Sequence, residues 1–278
     1  KTPVLQWSTG PLASFIYYEN EMADAGLDPR AIRSIEDLDK FLGQVKEVVD
    51  SRSDLEYVIA TGWHQWCWPY QFLNHFITTF NPDAQEMAAK LYTGKIKWTD
   101  LDQNPYVPAF AKLKEWYDNG YFPDEFWNLS WEEDFENAFI ANKAILTYHG
   151  PWLWDKVEAA NPSAQLAGFP LPANSAGKIQ AFPPDVTQGP GIYKSVADDP
   201  ARLEAAVRAM NFYLGPDGVK MLAESLGSVP AFDLSSVGGA DLQSSQYLSV
   251  TKGVIDGDFG NVSWDMSNFG CDLGAAYY

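Results

Sequence analysis

Apolar residues recur at helical spacing in several segments of the chain. The clearest helix follows Ser34, where the pattern from Ser34 to Asp37 resembles a capping box and apolar residues continue to about Asp50. A second helix is predicted after Asn81-Pro82 and a third after Pro105 or Pro108, because proline is favoured in the first turn of a helix.

Further helices are predicted later in the chain. Ser130 begins a second capping-box pattern with Glu133, a short helix is expected from Trp152 to about Ala160, and Asp199-Pro200 opens another. Short apolar runs at 57–60, 144–148 and 166–171 have the length of buried strands. This alternation of helices and strands predicts an α/β fold, with helices packed on a largely parallel sheet.

Composition narrows the range of partners. The 278 residues carry 37 acidic and 19 basic side chains, a net charge of −18, so the clustered positive charge that binds nucleic acid or an anionic membrane is not expected. No apolar run reaches the length of a membrane span. The chain has two cysteines, Cys67 and Cys271, which are too few for a disulfide scaffold, although the two could form one bridge.

Catalytic and metal-binding motifs are not found in the sequence. There is no glycine-rich phosphate loop, no nucleophile elbow and no zinc-protease motif, and the three histidines lack the spacing of metal ligands. The acidic run 132–134 falls in a predicted first helical turn, where carboxylates favour the helix dipole without any further role. We therefore expect no enzyme activity, no metal and no cofactor.

Aromatic residues make up 15% of the chain, and two clusters stand out by their position. Residues 63–70 contain three tryptophans directly after a predicted strand, where ligands collect in α/β sheets, and Trp63, His64, Gln65 or Trp66 are candidates for ligand contact. Residues 146–154 combine a strand, a Gly-Pro turn and a helix start that includes Trp152. Flat apolar rings with one polar atom suit stacking on sugars.

The segment 145–154, with 135–143 before it, resembles family 1 extracellular solute-binding proteins, in which a short helix presents a tryptophan that stacks on sugar. Residues 14–27, 168–172, 189–192 and 200–230 match further segments of that family in the same order. The resemblance implies a two-lobed periplasmic-binding-protein-like fold of type II, with mainly the second lobe in this chain and the segment for the amino-terminal lobe missing.

The resemblance also implies a division of the chain. Residues 1–187 would form most of the second lobe, with a first hinge crossing near 7–12. Residues 188–232 would return to the first lobe, and 233–278 would return to the second. The stretch from Pro170 to Gly191 is the richest in turn residues, and this supports a crossing there.

By the same resemblance, the protein is a monomeric, extracytoplasmic receptor of an ABC importer, periplasmic or lipid-anchored, with permease subunits as partners and a carbohydrate, most simply an oligosaccharide, as ligand. Trp152 would be the main stacking ring and Trp66 or Trp63 the opposing ring. The remaining candidate contacts are His64, Gln65, Asp185, Gln188, Trp7, Ser8 and Trp264. The alternatives are a cationic or peptide ligand in the same fold and a glycoside-acting enzyme.

Overall fold

A computed structural model describes residues 8–9, 14–64, 72–81, 83–150, 153–169, 171–172, 191–218, 220–221 and 229–230. The strands within these residues are β1 (Ser8–Thr9), β2 (Ser14–Tyr18), β3 (Tyr57–Ala60), β4 (Ala144–His149), β5 (Leu166–Phe169) and β6 (Val229–Pro230). The α-helices are α1 (Glu19–Asp24), α2 (Ile35–Ser51), α3 (Leu73–Phe80), α4 (Ala84–Tyr92), α5 (Tyr106–Asp118), α6 (Asn137–Ile140), α7 (Leu153–Ala160) and α8 (Pro200–Tyr213).

The main sheet is mixed rather than largely parallel. Its described strands lie in the order β3-β4-β2-β5, and β3 and β4 are parallel. β2 runs antiparallel to both of its neighbours, with Ser14 opposite His149 and Phe15 opposite Phe169. The prediction of a largely parallel sheet is wrong at β2, because alternation of elements indicates where strands lie but not the direction of each one.

Helices cover both faces of this sheet. On one face, Phe15 of β2 meets Tyr148 and Phe169 of the adjacent strands, and Phe41 of α2 packs edge-on against Phe169. On the other face, Tyr18 stacks on Phe139 of α6 and its hydroxyl donates to the Phe139 carbonyl oxygen. Every residue of β2 and of β4 is buried, as expected for strands that lie between two helical layers.

Several helix starts agree with the sequence patterns. Ser34 and Asp37 form the predicted capping box, in which Ser34 Oγ accepts from the Asp37 amide and Asp37 Oδ2 accepts from the Ser34 amide. The Asp199 carboxylate accepts from the amides of Ala201 and Arg202 at the start of α8. Of the two proline alternatives, Pro105 is the residue that precedes α5.

The second predicted capping box, Ser130 with Glu133, does not form. Residues Trp131–Glu136 are a π-helical segment in which the Phe135 amide donates to the Ser130 carbonyl oxygen. This wider turn contains one extra residue, so Asp134 rather than Glu133 faces Ser130 and accepts from both its amide and its hydroxyl.

A separate two-stranded pairing lies outside the main sheet. Ser8 pairs with Pro230 and Thr9 with Val229 in antiparallel register. The segment before β2 is thus joined to a segment that lies more than 200 residues later in the chain. The division into lobes stays a prediction, and its turn-rich crossing at 173–190 lies outside the described residues.

Candidate functional site

The carboxyl ends of three strands meet at one edge of the main sheet. Ala60 of β3 lies beside Thr147 of β4, and the Thr147 hydroxyl donates to the Ala60 carbonyl oxygen at 2.9 Å. β5 is antiparallel to β2, as β4 is, so it ends at this same edge. β3 and β4 therefore end side by side, at the kind of edge where ligands bind in α/β folds. The aromatic segment 63–70 that the sequence singles out follows β3 in the chain, and the segment 146–154 contains the end of β4.

Main-chain hydrogen bonds hold the segment after β3 against residues 126–129. The Trp63 amide donates to the Phe126 carbonyl oxygen at 2.8 Å, and the His64 amide donates to the Leu129 carbonyl oxygen at 3.1 Å. This close approach requires glycine at position 62, because a Cβ atom there would lie 2.3 Å from the Leu129 carbonyl oxygen. The backbone of the predicted ligand-contact segment is thereby fixed up to residue 64.

The Trp63 side chain belongs to an aromatic cluster. Its ring centroid lies 5.9 Å from that of Phe110, 5.8 Å from that of Phe126 and 5.5 Å from that of Trp127. Trp63 is partly buried, and Trp127 is 49% exposed. No local sequence pattern marks Trp127, since only the folded chain brings it beside Trp63.

A buried histidine ends β4, two residues before Pro151. His149 is fully buried, and its Nε2 accepts from Trp131 Nε1 at 2.6 Å while its Nδ1 lies 3.2 Å from the Gly150 carbonyl oxygen. Both contacts are satisfied when the proton is on Nδ1, so the ring is neutral in this arrangement. Burial, opposed in part by the bond to Gly150 and assisted by the charge of Lys156, lowers the pKa of His149 to about 3.

An ion pair lies beside this histidine. The Lys156 ammonium on α7 donates to Glu136 Oε2 at 2.7 Å, and Glu136 is 2% exposed. Glu136 Oε1 lies 3.5 Å from His149 Nε2. Because Glu136 ends the π-helical segment and Lys156 is in the first half of α7, the pair joins that helix to the π-helical segment beside His149. This support fixes the frame on both sides of residues 151 and 152.

The structure locates some of the predicted site residues. Trp63 and His64 lie at the sheet edge, and Ser8 lies in the β1–β6 pairing. The others fall outside the described residues: Trp7, Gln65, Trp66, Trp152, Asp185, Gln188 and Trp264. The flanks of Trp152 are described, and they show that β4 and α7 lie immediately before and after the Gly150-Pro151-Trp152 segment.

The described residues contain neither a metal-binding cluster nor a membrane-spanning helix. No three His, Cys, Asp or Glu side chains in this part of the chain are grouped so that they could hold a metal ion. None of the described helices is long and apolar enough to cross a membrane.

Comparison with known families identifies the class of protein. Residues 6–244 match the family model of bacterial extracellular solute-binding proteins, and the chain belongs to this family. A comparison with curated proteins found no match.

Solved structures show the same two-lobed fold at low sequence identity. A sugar transporter from Bacillus licheniformis in complex with stachyose has a TM-score of 0.64 and 18% identity, over 98% of this chain and 68% of its own. A Streptococcus pneumoniae solute-binding protein in complex with the blood group A-trisaccharide has a TM-score of 0.63 and 14% identity, over 98% and 64%. Maltose-bound T. maritima MalE3 has a TM-score of 0.62 and 15% identity, over 93% and 62%. The chain thus spans about two thirds of the length of these proteins.

Proposed function

We propose that this protein is the receptor of an ABC importer and that it binds an oligosaccharide. The observation that carries the proposal is that β3 and β4, which lead into the aromatic segments 63–70 and 146–154, end side by side at one sheet edge of a solute-binding fold. The similarity to solute-binding structures that hold stachyose, a blood group trisaccharide and maltose supports a sugar as the ligand.

Indole rings would provide most of the binding energy. Trp152, in the turn between β4 and α7, is proposed as the main stacking ring, with Trp63 or Trp66 opposite to it. An indole presents a wide apolar face to the C–H groups of a sugar ring and keeps one N–H for a hydroxyl. Because β4, the π-helical segment and α7 fix the flanks of Trp152, little entropy would be lost on binding.

Polar groups would select the hydroxyl pattern of the sugar. His64, Gln65, Asp185 and Gln188 are proposed to form hydrogen bonds with hydroxyl groups, and Trp7 and Ser8 to contact the ligand from the hinge side. Trp264 is proposed as a further aromatic contact. A neutral ligand with many hydroxyls is bound best by several such bonds around a stacked ring. The specificity for the arrangement of hydroxyl groups would therefore come from these residues.

Transport would require closure of the two lobes. Ligand that contacts both lobes stabilises the closed form, and the permease subunits would recognise that form. We propose that the protein acts outside the cytoplasm, in the periplasm or anchored by lipid at the outer face of the membrane, as a monomer and without enzyme activity.

A tryptophan-fluorescence titration tests this function. The mature protein is titrated with mono- and oligosaccharides, and the mixtures are then analysed for products. A saturable change with one sugar class, with the sugar recovered intact, is the expected result. Conversion of the sugar would instead indicate a glycoside-acting enzyme. Saturation by a polyamine or peptide, with no response to any sugar, would contradict the proposed ligand class.

A further inference from the structure

Trp127 occupies a fixed position beside the proposed site. It lies between Phe126 and Leu129, whose carbonyl oxygens accept hydrogen bonds from the amides of Trp63 and His64. These main-chain bonds place Trp127 next to the residues that follow β3. A side chain at this position is carried by backbone that is paired on both sides of it.

The rings around Trp127 meet it at steep angles. Trp63 is inclined to it by 62° at 5.5 Å, Phe126 by 66° at 4.9 Å and Tyr117 by 50° at 6.0 Å between centroids. None of these described neighbours stacks parallel to the indole, and 49% of the residue is exposed. Among the described residues, the ring is thus supported at its edges and has no parallel partner on its face.

An exposed and well-supported indole suits a flat ligand with an apolar face. A pyranose ring has such a face, and Trp63 would form the second wall of the corner at 62° to the first. A cationic ligand would need carboxylates around the ring. Asp124 and Glu125 lie three and two residues before Trp127, and a cation is therefore tested below as the alternative ligand.

We propose that Trp127, supported by Trp63, is a stacking subsite for an outer sugar unit of the oligosaccharide. The inference rests on the proposed function, since it extends the same ligand from the Trp152 turn along the sheet edge to the end of β3. The subsite would set the preferred length of the oligosaccharide, because only a ligand with enough units would reach both positions.

Affinity as a function of ligand length tests the subsite. Calorimetric titrations compare the protein with its Trp127→Ala variant, using a series from one to five units of the sugar that the native protein binds. We expect the variant to lose about tenfold or more in affinity for the longer members and to bind the shortest members like the native protein. Trp127→Phe should recover most of the loss.

Trp98→Ala is the matched control, because Trp98 is 41% exposed and lies on the α4–α5 connection. It should leave the whole series unchanged, and the melting temperatures of all variants should agree with that of the native protein. The subsite would be overturned if Trp127→Ala and the native protein had equal affinities at every length, or if Trp98→Ala lost as much affinity as Trp127→Ala. In either case, binding of the sugar by the native protein would still support the receptor function. A native protein that binds no sugar would overturn both, and spermidine binding that depends on Trp127 would assign the ring to a cation.

Discussion

Close packing and burial determine the properties of two residues at the sheet edge. Gly62 has no space for a side chain, and His149 is fully buried beside Glu136, a carboxylate that pairs with Lys156. Neither feature follows from local sequence pattern, since both depend on segments more than 10 residues away. Each leads to a test that needs no ligand.

Substitution of Gly62 by alanine should destabilise the fold. The new Cβ would meet the Leu129 carbonyl group at 2.3 to 2.8 Å, so segments 61–64 and 126–129 would have to move apart. We expect a loss of about 2 kcal/mol in the free energy of unfolding, as for other overpacked sites. Denaturant unfolding measures it. Gly191→Ala is the control, because no atom lies within 4 Å of its added Cβ; a loss at Gly62 no larger than at Gly191 would refute the close approach.

The buried His149 should make stability depend on pH. Its pKa is lowered to about 3, whereas an exposed histidine in the unfolded chain titrates near 6.5. Below about pH 6.5 the unfolded chain therefore binds a proton that the folded protein does not, and stability falls as the pH falls. The expected slope from this residue is about 1.4 kcal/mol per pH unit between that value and the lowered pKa.

Unfolding free energies of the native protein and of His149→Gln, measured between pH 7.5 and 5, isolate this contribution. Glutamine keeps an acceptor for the Trp131 indole but does not titrate. The variant should show the smaller dependence on pH. Identical slopes for the two proteins would mean that His149 is protonated in the folded state.

At the scale of elements, the sequence predicts those helices and strands whose signals are local. α2 has both a capping box and regular apolar spacing, and the apolar run 57–60 has the length of a buried strand. The observed boundaries of α2 and β3 agree with the predicted ones to within a residue. The turn at Ser130 has the letters of a capping box but folds as a π-helical segment. Packing of Trp131 and Phe135 around His149 accompanies this wider turn.

β2 and Trp127 show what pattern alone does not reveal. The residues of β2 are buried on both faces, so they have no alternation of apolar and polar positions, and their antiparallel direction depends on pairing with β4 and β5. Of the candidate site, the sequence indicates the two aromatic segments because both follow strands. The position of Trp127 depends on contacts formed only in the folded chain.

The turn between α6 and β4 offers a test at this scale. Asn142 is in the left-handed region with φ of 55°, and its side chain donates to Glu21 Oε1, which belongs to the carboxylate that also pairs with Arg52. Asn142→Ala loses the hydrogen bond and adds backbone strain, so we expect its free energy of unfolding to fall by about 2 kcal/mol. Asn142→Gly loses only the bond and should cost about 1 kcal/mol. Thermal unfolding compares them, and a glycine variant less stable than the alanine variant would contradict this assignment.

At the scale of the whole molecule, the family, the fold and the site agree with one another. The chain belongs to the extracellular solute-binding family, and its fold is that of solved solute-binding structures. β3 and β4 end side by side at one edge of the main sheet. The net charge of −18 argues against the clustered positive surface that binds nucleic acid. The central claim is that the Trp152 turn provides the main surface for a sugar.

The most direct measurement is the dissociation constant of that sugar for the native protein and for Trp152→Ala, by calorimetry, with Trp98→Ala as the control. Loss of one fully stacked aromatic ring is expected to cost 2 kcal/mol or more, so affinity should fall by about thirtyfold or more at an unchanged melting temperature. The control should bind like the native protein. An unchanged dissociation constant for Trp152→Ala would contradict the account.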